Sequence, residues 1–559
     1  MKHFSIFILV ISFSLGLFAQ EQKHVVFLKN KDNNPYSLTN PSAFLTQRAL
    51  NRRAKSGIAI DFKDLPVTPA YVTQIAATGA PVVYSLRWFN AVVINTNDPG
   101  ILETIRGLSF VDHIDQVLVD QPDKTTGKHG IKDVAAILPS VVSSPMMTAK
   151  PKSTGSLSYG QAYNQAHMIS VDGLHNLGFK GEGMVIAVLD AGFYHVDQIA
   201  GFDSLWANNQ ILGTRDFSIP GNNVFGDDMH THGTSVLSTM GANLPGEMVG
   251  TAPHASFWLV RTEVGDYEAL IEEYNWAAGA EFADSIGADV INSSLGYTTF
   301  DSPGFNHTYA DLDGNTTPVT RAADLAASRG ILVVNSAGNE GGSSWQYVGA
   351  PADGDSVFTI GAVDAGGNYA SFSSTGPTAD GRTKPDVTAQ GQGTTVISGW
   401  GSVSQGSGTS FSSPVTAGAL ACLWQSTLTF SAQDIRNAVR NTASKASLPD
   451  QLYGYGIPNM MNARLFLAAP DNMVAEQTLF NLSPNPFSNA PLLQNRSNRE
   501  ENVDMEILSM TGQLIHSQKF TISANGTIRL TPFDKFQAGL YFIRIVTDSG
   551  RQVIRGVKW

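Results

Sequence analysis

From about Tyr159 to Ala469 the chain alternates short apolar runs with stretches of helical length, and several runs end in polar residues. Met184-Val-Ile-Ala-Val-Leu189 ends in Asp190, Ala288-Asp-Val-Ile-Asn292 leads into Ser294-Leu-Gly296, and Ile331-Leu-Val-Val334 leads into Asn335-Ser-Ala-Gly-Asn-Glu340. Ser256 to Val260 is a further strand-like run, while Tyr267 to Ile286 and Val319 to Ser328 have helical length. Strands alternating with helices fold as a parallel sheet covered on both faces, so the expected class is α/β with a doubly wound sheet. In such sheets ligands bind beyond the C-terminal ends of the strands, where these polar residues fall.

Two more stretches complete a chemical set. Gly408-Thr-Ser-Phe-Ser-Ser-Pro414 sets a hydroxyl before the helix-like run Val415 to Thr427, and His232-Gly-Thr234 opens another helix-like segment. A serine hydroxyl is a poor nucleophile at neutral pH, so acyl transfer needs an imidazole that takes its proton during attack and returns it to the leaving amine. A carboxylate must hold the other ring nitrogen to fix the tautomer. Ser410, His232 and Asp190 are the candidates for these roles. The tetrahedral intermediate carries a negative oxygen, and Asn339 is the candidate donor toward it. Gly406-Ser-Gly408 suits a place where backbone passes close to a bound peptide.

Val188-Leu-Asp-Ala-Gly192, His232-Gly-Thr-Ser235, Asn292-Ser-Ser-Leu-Gly296, Ser336-Ala-Gly-Asn-Glu-Gly341 and Gly408-Thr-Ser-Phe-Ser-Ser-Pro414 resemble, in order and spacing, the motifs of the subtilases, serine peptidases of the subtilisin superfamily. The resemblance implies a triad of Asp190, His232 and Ser410, with the Asn339 side chain and the Ser410 backbone N–H forming the oxyanion hole. It implies that Ser294, Leu295 and Gly296 bind substrate backbone. With Ser336, Ala337 and Gly338 they would wall the pocket for the residue preceding the cleaved bond, its depth depending on loops such as Tyr347 to Asp355. An extended peptide would add to such a segment as a strand. Two positions depart from the family pattern: Ala191 follows the candidate Asp where Thr or Ser is usual, and Ser235 stands where many members carry a second histidine.

At 559 residues the chain exceeds what one core serves, so several units are expected. A net charge of −12 with no dense basic run argues against nucleic acid as a partner. Residues 1–19 read as a secretory signal: Lys2 and His3, then apolar Ser5 to Phe18, then Ala19. No later stretch approaches the roughly 20 apolar residues that a membrane span requires. Cys422 is the sole cysteine, which rules out an intramolecular disulfide, and its apolar helical setting marks a core residue rather than a catalytic thiol.

Residues 20–120 alternate strand and helix patterns, including His24 to Leu28, Pro81 to Tyr84, Phe89 to Ile94, Ile101 to Leu108 and His113 to Val119, as a small α+β unit would. Placed before a subtilase domain, it is similar to the inhibitory propeptides of that family, so the resemblance implies a zymogen whose own propeptide is a partner. Residues 121–158, rich in Lys, Ser, Thr, Pro and Gly, read as an exposed linker where maturation cleavage belongs. The catalytic unit is expected over 159–469, closing near Gly454-Tyr-Gly-Ile-Pro-Asn459. Residues 470–559 turn to short strands such as Val503 to Leu508, Thr527 to Leu530 and Gly539 to Ile545, as an all-β sandwich would show. Leu482-Ser-Pro-Asn-Pro-Phe487, Ile507 to Leu514 and Val553 to Trp559 resemble the C-terminal sorting domain of the type IX secretion system of Bacteroidetes-type bacteria. That resemblance implies the export machinery as a partner and an extracellular or surface-attached destination; an accessory binding sandwich is the alternative.

Three patterns weigh less. Asp227, Asp228 and His230 beside His232 could ligate zinc, but no His-Glu-x-x-His occurs and His230 reads as a rim residue. Asp311-Leu-Asp-Gly-Asn315 resembles part of a calcium loop without its later Glu, and an acidic surface turn is favoured. Catalysis of this type requires no cofactor; structural calcium is implied by the resemblance and has no location in the sequence. Gly181-Glu-Gly183 precedes its strand and reads as a turn. The expected function is a secreted serine endopeptidase acting on extended protein segments through a Ser410 acyl-enzyme. Its rivals are a catalytically inactive peptide-binding or surface adhesion protein on the same fold, and an esterase or peptide ligase, since other nucleophiles can attack an acyl-enzyme.

Overall fold

The computed structural model describes residues 22–118, 157–265, 267–468, 479–509, 514–547 and 550–558. The expected signal segment and nearly all of the expected linker lie outside the described residues. The N-terminal unit is an antiparallel sheet of β1 (Lys23–Leu28), β2 (Val82–Leu86), β3 (Ala91–Asn95) and β4 (Val111–Gln116) in the order β2-β3-β1-β4. Helices α1 (Gln47–Lys55), α2 (Pro69–Ala76) and α3 (Pro99–Arg106) complete it. Proline opens α2 and α3, where its missing N–H costs nothing, and the Asp98 carboxylate caps α3 by accepting the N–H of Gly100 at 2.7 Å. Side chains alternate across this sheet. Val26, Val92 and Ile94 pack on Ile75 and Ile105 of its own helices, whereas Val25, Ala91 and Val93 join Tyr274, Ala277 and Ala278 of the central unit.

The central unit carries β5 (Val185–Asp190), β6 (Ile211–Asp216), α4 (His232–Gly241), β7 (Ser256–Arg261), α5 (Ile271–Ile286), β8 (Val290–Ser293), α6 (Pro318–Ser328), β9 (Leu332–Ser336), β10 (Phe358–Val363), β11 (Val387–Gln390) and α7 (Thr409–Gln425). Its strands pair in parallel in the order β11-β10-β9-β8-β5-β7-β6. Both faces are buried, which is why β5 is apolar from Val185 to Leu189. Ile186 and Val188 meet Val236 of α4 and Leu420 of α7, while Ala187 and Leu189 meet Trp276 of α5 and Val319 of α6. The expected doubly wound α/β class is what the chain adopts. Two boundaries differ from the sequence reading: α5 begins at Ile271 rather than Tyr267, and α7 begins at Thr409, well before Val415, so Pro414 lies inside it. The N–H that proline lacks would have bonded the carbonyl of Ser410, and the Ser294 hydroxyl replaces it.

The two units meet over a buried charge cluster. Asp284 on α5 is fully buried and accepts hydrogen bonds from Arg53 at 2.6 Å, from Arg87 at 2.6 Å and from Arg52. Arg53 also makes a two-pronged pair with Asp64 at 2.8 and 2.9 Å. The Glu281 carboxylate accepts the backbone N–H of Arg87 and Trp88 at 2.8 and 2.9 Å. A buried carboxylate is tolerable only when its charge and lone pairs are met this way.

The C-terminal unit has β12 (Phe480–Ser483), β13 (Leu492–Asn495), β14 (Glu501–Ser509), β15 (Leu514–Ile522), β16 (Thr527–Arg529), β17 (Gly539–Thr547) and β18 (Gly550–Lys558). They form sheets β12-β13-β16 and β15-β14-β17-β18 around Phe480, Leu493, Met505, Ile507, Phe533 and Ile543. This is the all-β unit the alternating pattern predicts, with Val503, Met505 and Ile507 turned inward.

Candidate active site

Asp190 is the last residue of β5 and His232 the first of α4, and both are buried. His232 Nδ1 lies 2.8 Å from Asp190 Oδ1, which also accepts the N–H of Ala191 at 2.8 Å. Gly233 makes this approach feasible: a Cβ there would come within 2.3 Å of the Gly192 carbonyl oxygen and 3.0 Å of the Asp190 Cβ. The other carboxylate oxygen, Oδ2, is buried without a hydrogen-bond partner among the described residues, and Ala191, the first departure, has no hydroxyl to offer it. Ser235, the second departure, donates its hydroxyl to the Ile397 carbonyl at 3.0 Å and so ties α4 to the chain leading into α7.

Ser410 is the second residue of α7, and the ring of Phe411 beside it lies 6.3 Å from the ring of His232. Gly408 caps this helix at φ 155° and ψ 151°, a conformation only glycine enters readily. Pro414 cannot donate to the Ser410 carbonyl, and the Ser294 hydroxyl does so instead at 3.0 Å. The Ser410 hydroxyl in turn makes a long 3.5 Å bond to the Ser294 carbonyl. The motif after β8 is thereby pinned to the start of α7.

Asn339 follows β9, and its Oδ1 accepts the backbone N–H of Thr409 at 2.8 Å and the Thr409 hydroxyl at 3.1 Å. A backbone donor fixes which end of the amide is oxygen, so the Nδ2 hydrogens are left to donate. The Asn335 amide donates to the carbonyls of Leu295 at 3.0 Å and Ser336 at 2.8 Å, joining the two expected pocket walls. Between those walls opens a pocket lined by Ser294, Leu295, Gly296, Gly338 and Gly349, with Glu263, Glu268 and Glu340 in its lining. Gly349 belongs to the loop on which the sequence made pocket depth depend; Ser336 and Ala337 are buried behind the wall and do not line the pocket. Sequence reasoning missed Glu263 and Glu268. Their one signal was position, just past the C-terminal end of β7, where ligands of α/β sheets bind.

His230 is a rim residue whose Nδ1 accepts the N–H of His232 at 3.1 Å, and the nearby Asp227 carboxylate lies 2.7 Å from His195 Nε2. Asp311 accepts the Thr308 N–H and hydroxyl, each at 2.7 Å, and Asp313 accepts the N–H of Asn315 at 2.8 Å and of Thr316 at 2.9 Å, so this loop is a self-capped turn. Among the described residues no group of three or more His, Cys, Asp or Glu side chains could hold a metal ion. Cys422 is buried in α7.

Residues 181–456 match the family described as Subtilase family. Subtilisin DY of Bacillus licheniformis is 32% identical over 305 residues, 52% of this chain and 95% of that protein. The chain belongs to the subtilase family. Subtilisin BL of Lederbergia lenta is 34% identical over 286 residues, covering 51% of this chain and 92% of its own length, and subtilisin E of Bacillus subtilis (strain 168) is 31% identical over 301 residues, 53% and 69%. Residues 23–130 match a peptidase S8 propeptide domain of Bacteroidota, and residues 481–558 match a secretion system C-terminal sorting domain. This subtilase is therefore a subtilisin-like serine endopeptidase, made with a propeptide and carrying a type IX sorting tail that directs secretion, with release or attachment at the cell surface. Among the described residues no helix is long and apolar enough to cross a membrane.

Proposed function

We propose that this peptidase cleaves extended protein segments through an acyl-enzyme on Ser410. Ser410 Oγ attacks the scissile carbonyl carbon while His232 Nε2 takes its proton, and the same proton passes to the leaving amine. Water then repeats the sequence on the ester. Asp190 holds Nδ1 and stabilises the imidazolium. The Asn339 Nδ2 and the Ser410 N–H donate to the oxyanion, and Ser294 to Gly296 and Gly338 frame the substrate, with Ser336 and Ala337 packed behind them. The observation that carries this reading is the 2.8 Å contact of His232 Nδ1 with a buried Asp190, which fixes the tautomer and leaves Nε2 as the proton acceptor.

The proposed organisation is a signal at 1–19, an inhibitory propeptide at 20–120, a cleaved linker at 121–158, the peptidase at 159–469 and the sorting domain at 470–559. The Arg52, Arg53 and Arg87 cluster on Asp284 supports a propeptide that stays docked after cutting. Structural calcium belongs to this proposal without assigned ligands.

The test is casein hydrolysis by the purified secreted protein beside its Ser410→Ala variant, with folding of both checked by circular dichroism. Cleavage by the wild type alone is expected. Undiminished cleavage by Ser410→Ala would overturn the nucleophile, and a folded, matured wild type that cleaves nothing would point to the binding-protein rival.

A further inference from the structure

The pocket between the two substrate walls is acidic in a way the subtilase motifs do not require. Glu263 is only 4% exposed yet lines the pocket. It accepts the Tyr297 hydroxyl at 2.7 Å and the Thr262 hydroxyl at 2.8 Å, both on Oε1, and Oε2 takes no hydrogen bond among the described residues. No ion pair is made by Glu263 or by Glu340 at the mouth among the described residues, although cations elsewhere are spent on buried acids, as Arg261 is on Asp216 at 3.0 Å. Glu268 lines the same pocket. Behind them Glu272 is satisfied by the N–H groups of Val264 at 2.8 Å and Ala269 at 2.9 Å, so it adds negative potential without offering an oxygen. A buried carboxylate with one oxygen open to a pocket, and a second carboxylate at the mouth, lacks one thing: a cation brought by the ligand.

We propose that this pocket selects a lysine or arginine side chain from the substrate residues on the N-terminal side of the cleaved bond, with Glu263 as the specificity-determining acceptor and Glu268 and Glu340 drawing the cation in. The inference rests on the peptidase reading above and adds the substrate class. The apolar stem of such a side chain would run between Leu295 and the backbone of Gly296, Gly338 and Gly349, and its charged end would meet Glu263. The charge state of Glu263 fits a ligand-completed site. Burial first, then the neighbouring Glu268 and the more distant Asp190, push its carboxyl up to about 8 against the bonds from Tyr297 and Thr262, and Glu272 is raised as well. An arriving cation favours the ionised form, so binding expels a proton when the pH is below that value.

The test uses the matured enzyme and peptide substrates that differ only in carrying lysine, arginine, norleucine or glutamate at each position before the bond. The readout is the ratio of kcat/KM for lysine over norleucine, which cancels any general loss of activity. The expected ratio is at least about tenfold at one of these positions, since norleucine leaves the carboxylate without its counter-charge. It should rise between about pH 6 and 9, where lysine stays protonated. Glu263→Gln should bring the ratio to about one, and Glu340→Gln should lower it partway. A wild type that cleaves casein but treats lysine and norleucine alike would overturn the inference and leave the peptidase reading intact. A ratio that Glu263→Gln leaves unchanged would overturn it too. Failure to cleave casein would instead count against the peptidase reading.

Discussion

The exchange of hydrogen-bond donors at the Ser410 carbonyl can be measured. In an uninterrupted helix residue 414 would donate to that oxygen, but proline has no N–H, and the Ser294 hydroxyl bonds it at 3.0 Å. Ser410 is 1% exposed, so Ser294→Ala leaves a carbonyl that water does not reach, at a cost of about 1 to 3 kcal/mol. For a domain of this size each kcal/mol moves the thermal midpoint by about 2 to 4 °C, so a fall of roughly 2 to 12 °C is expected. Pro414→Ala restores the helical donor. In the presence of Ser294 the oxygen already has a partner, whereas in Ser294→Ala the new N–H supplies the only one lost. The double variant should therefore recover most of the fall, a coupling of about 1 to 2 kcal/mol between two residues far apart in sequence. The long 3.4 Å bond from the Asn292 amide to the Ser294 hydroxyl is absent from both Ser294→Ala chains and cancels in the cycle. Calorimetry in a Ser410→Ala background, which prevents self-digestion, reads the midpoints. If Pro414→Ala shifted the midpoint equally with and without Ser294, the carbonyl exchange would be refuted.

Two more outcomes are expected. Asn339→Ala should lower kcat by about 10² to 10³ with little change in KM, a magnitude set by subtilisin's own oxyanion asparagine rather than by this structure; steady-state kinetics giving an unchanged kcat would remove Asn339 from the oxyanion hole. Burial alone would raise the carboxyl of Asp386, but the charges of Arg440 and Lys384 and the N–H of Thr359 outweigh it and hold it down to about 2. A depressed folded-state value means this stabilisation is present above about pH 4 and is lost as the pH falls toward 2, amounting to about 2 kcal/mol. The thermal midpoint gap between wild type and Asp386→Asn should therefore narrow between about pH 5 and 2, and a gap constant across that window would contradict the assignment.

Much of this protein could be read from the chain because its signals are local. Val185 to Leu189 must be a strand buried on both faces, and a polar residue at its end must lie where α/β sheets bind ligands; such statements need only neighbours in sequence. Motif order linked Asp190, His232, Asn339 and Ser410 before any contact was visible, since each motif carries its own turn and helix start. The start of α7 was not legible, because Pro414 normally ends a helix and only the Ser294 hydroxyl, more than a hundred residues away, makes its place there affordable. Glu263 and Glu268 carried only the signal of their position. A glutamate after a strand reads as solvated until Tyr297, Gly338 and Gly349 are folded around it, and only that enclosure turns a surface charge into a buried acceptor. The same holds for Asp284, whose burial depends on three arginines of another unit. Strand and helix order and the identities of the reacting groups are local and chemical, so the chain alone specifies them. Tertiary structure alone decided which charges are buried and face to face, because desolvation belongs to the assembled surfaces and to no single stretch of chain.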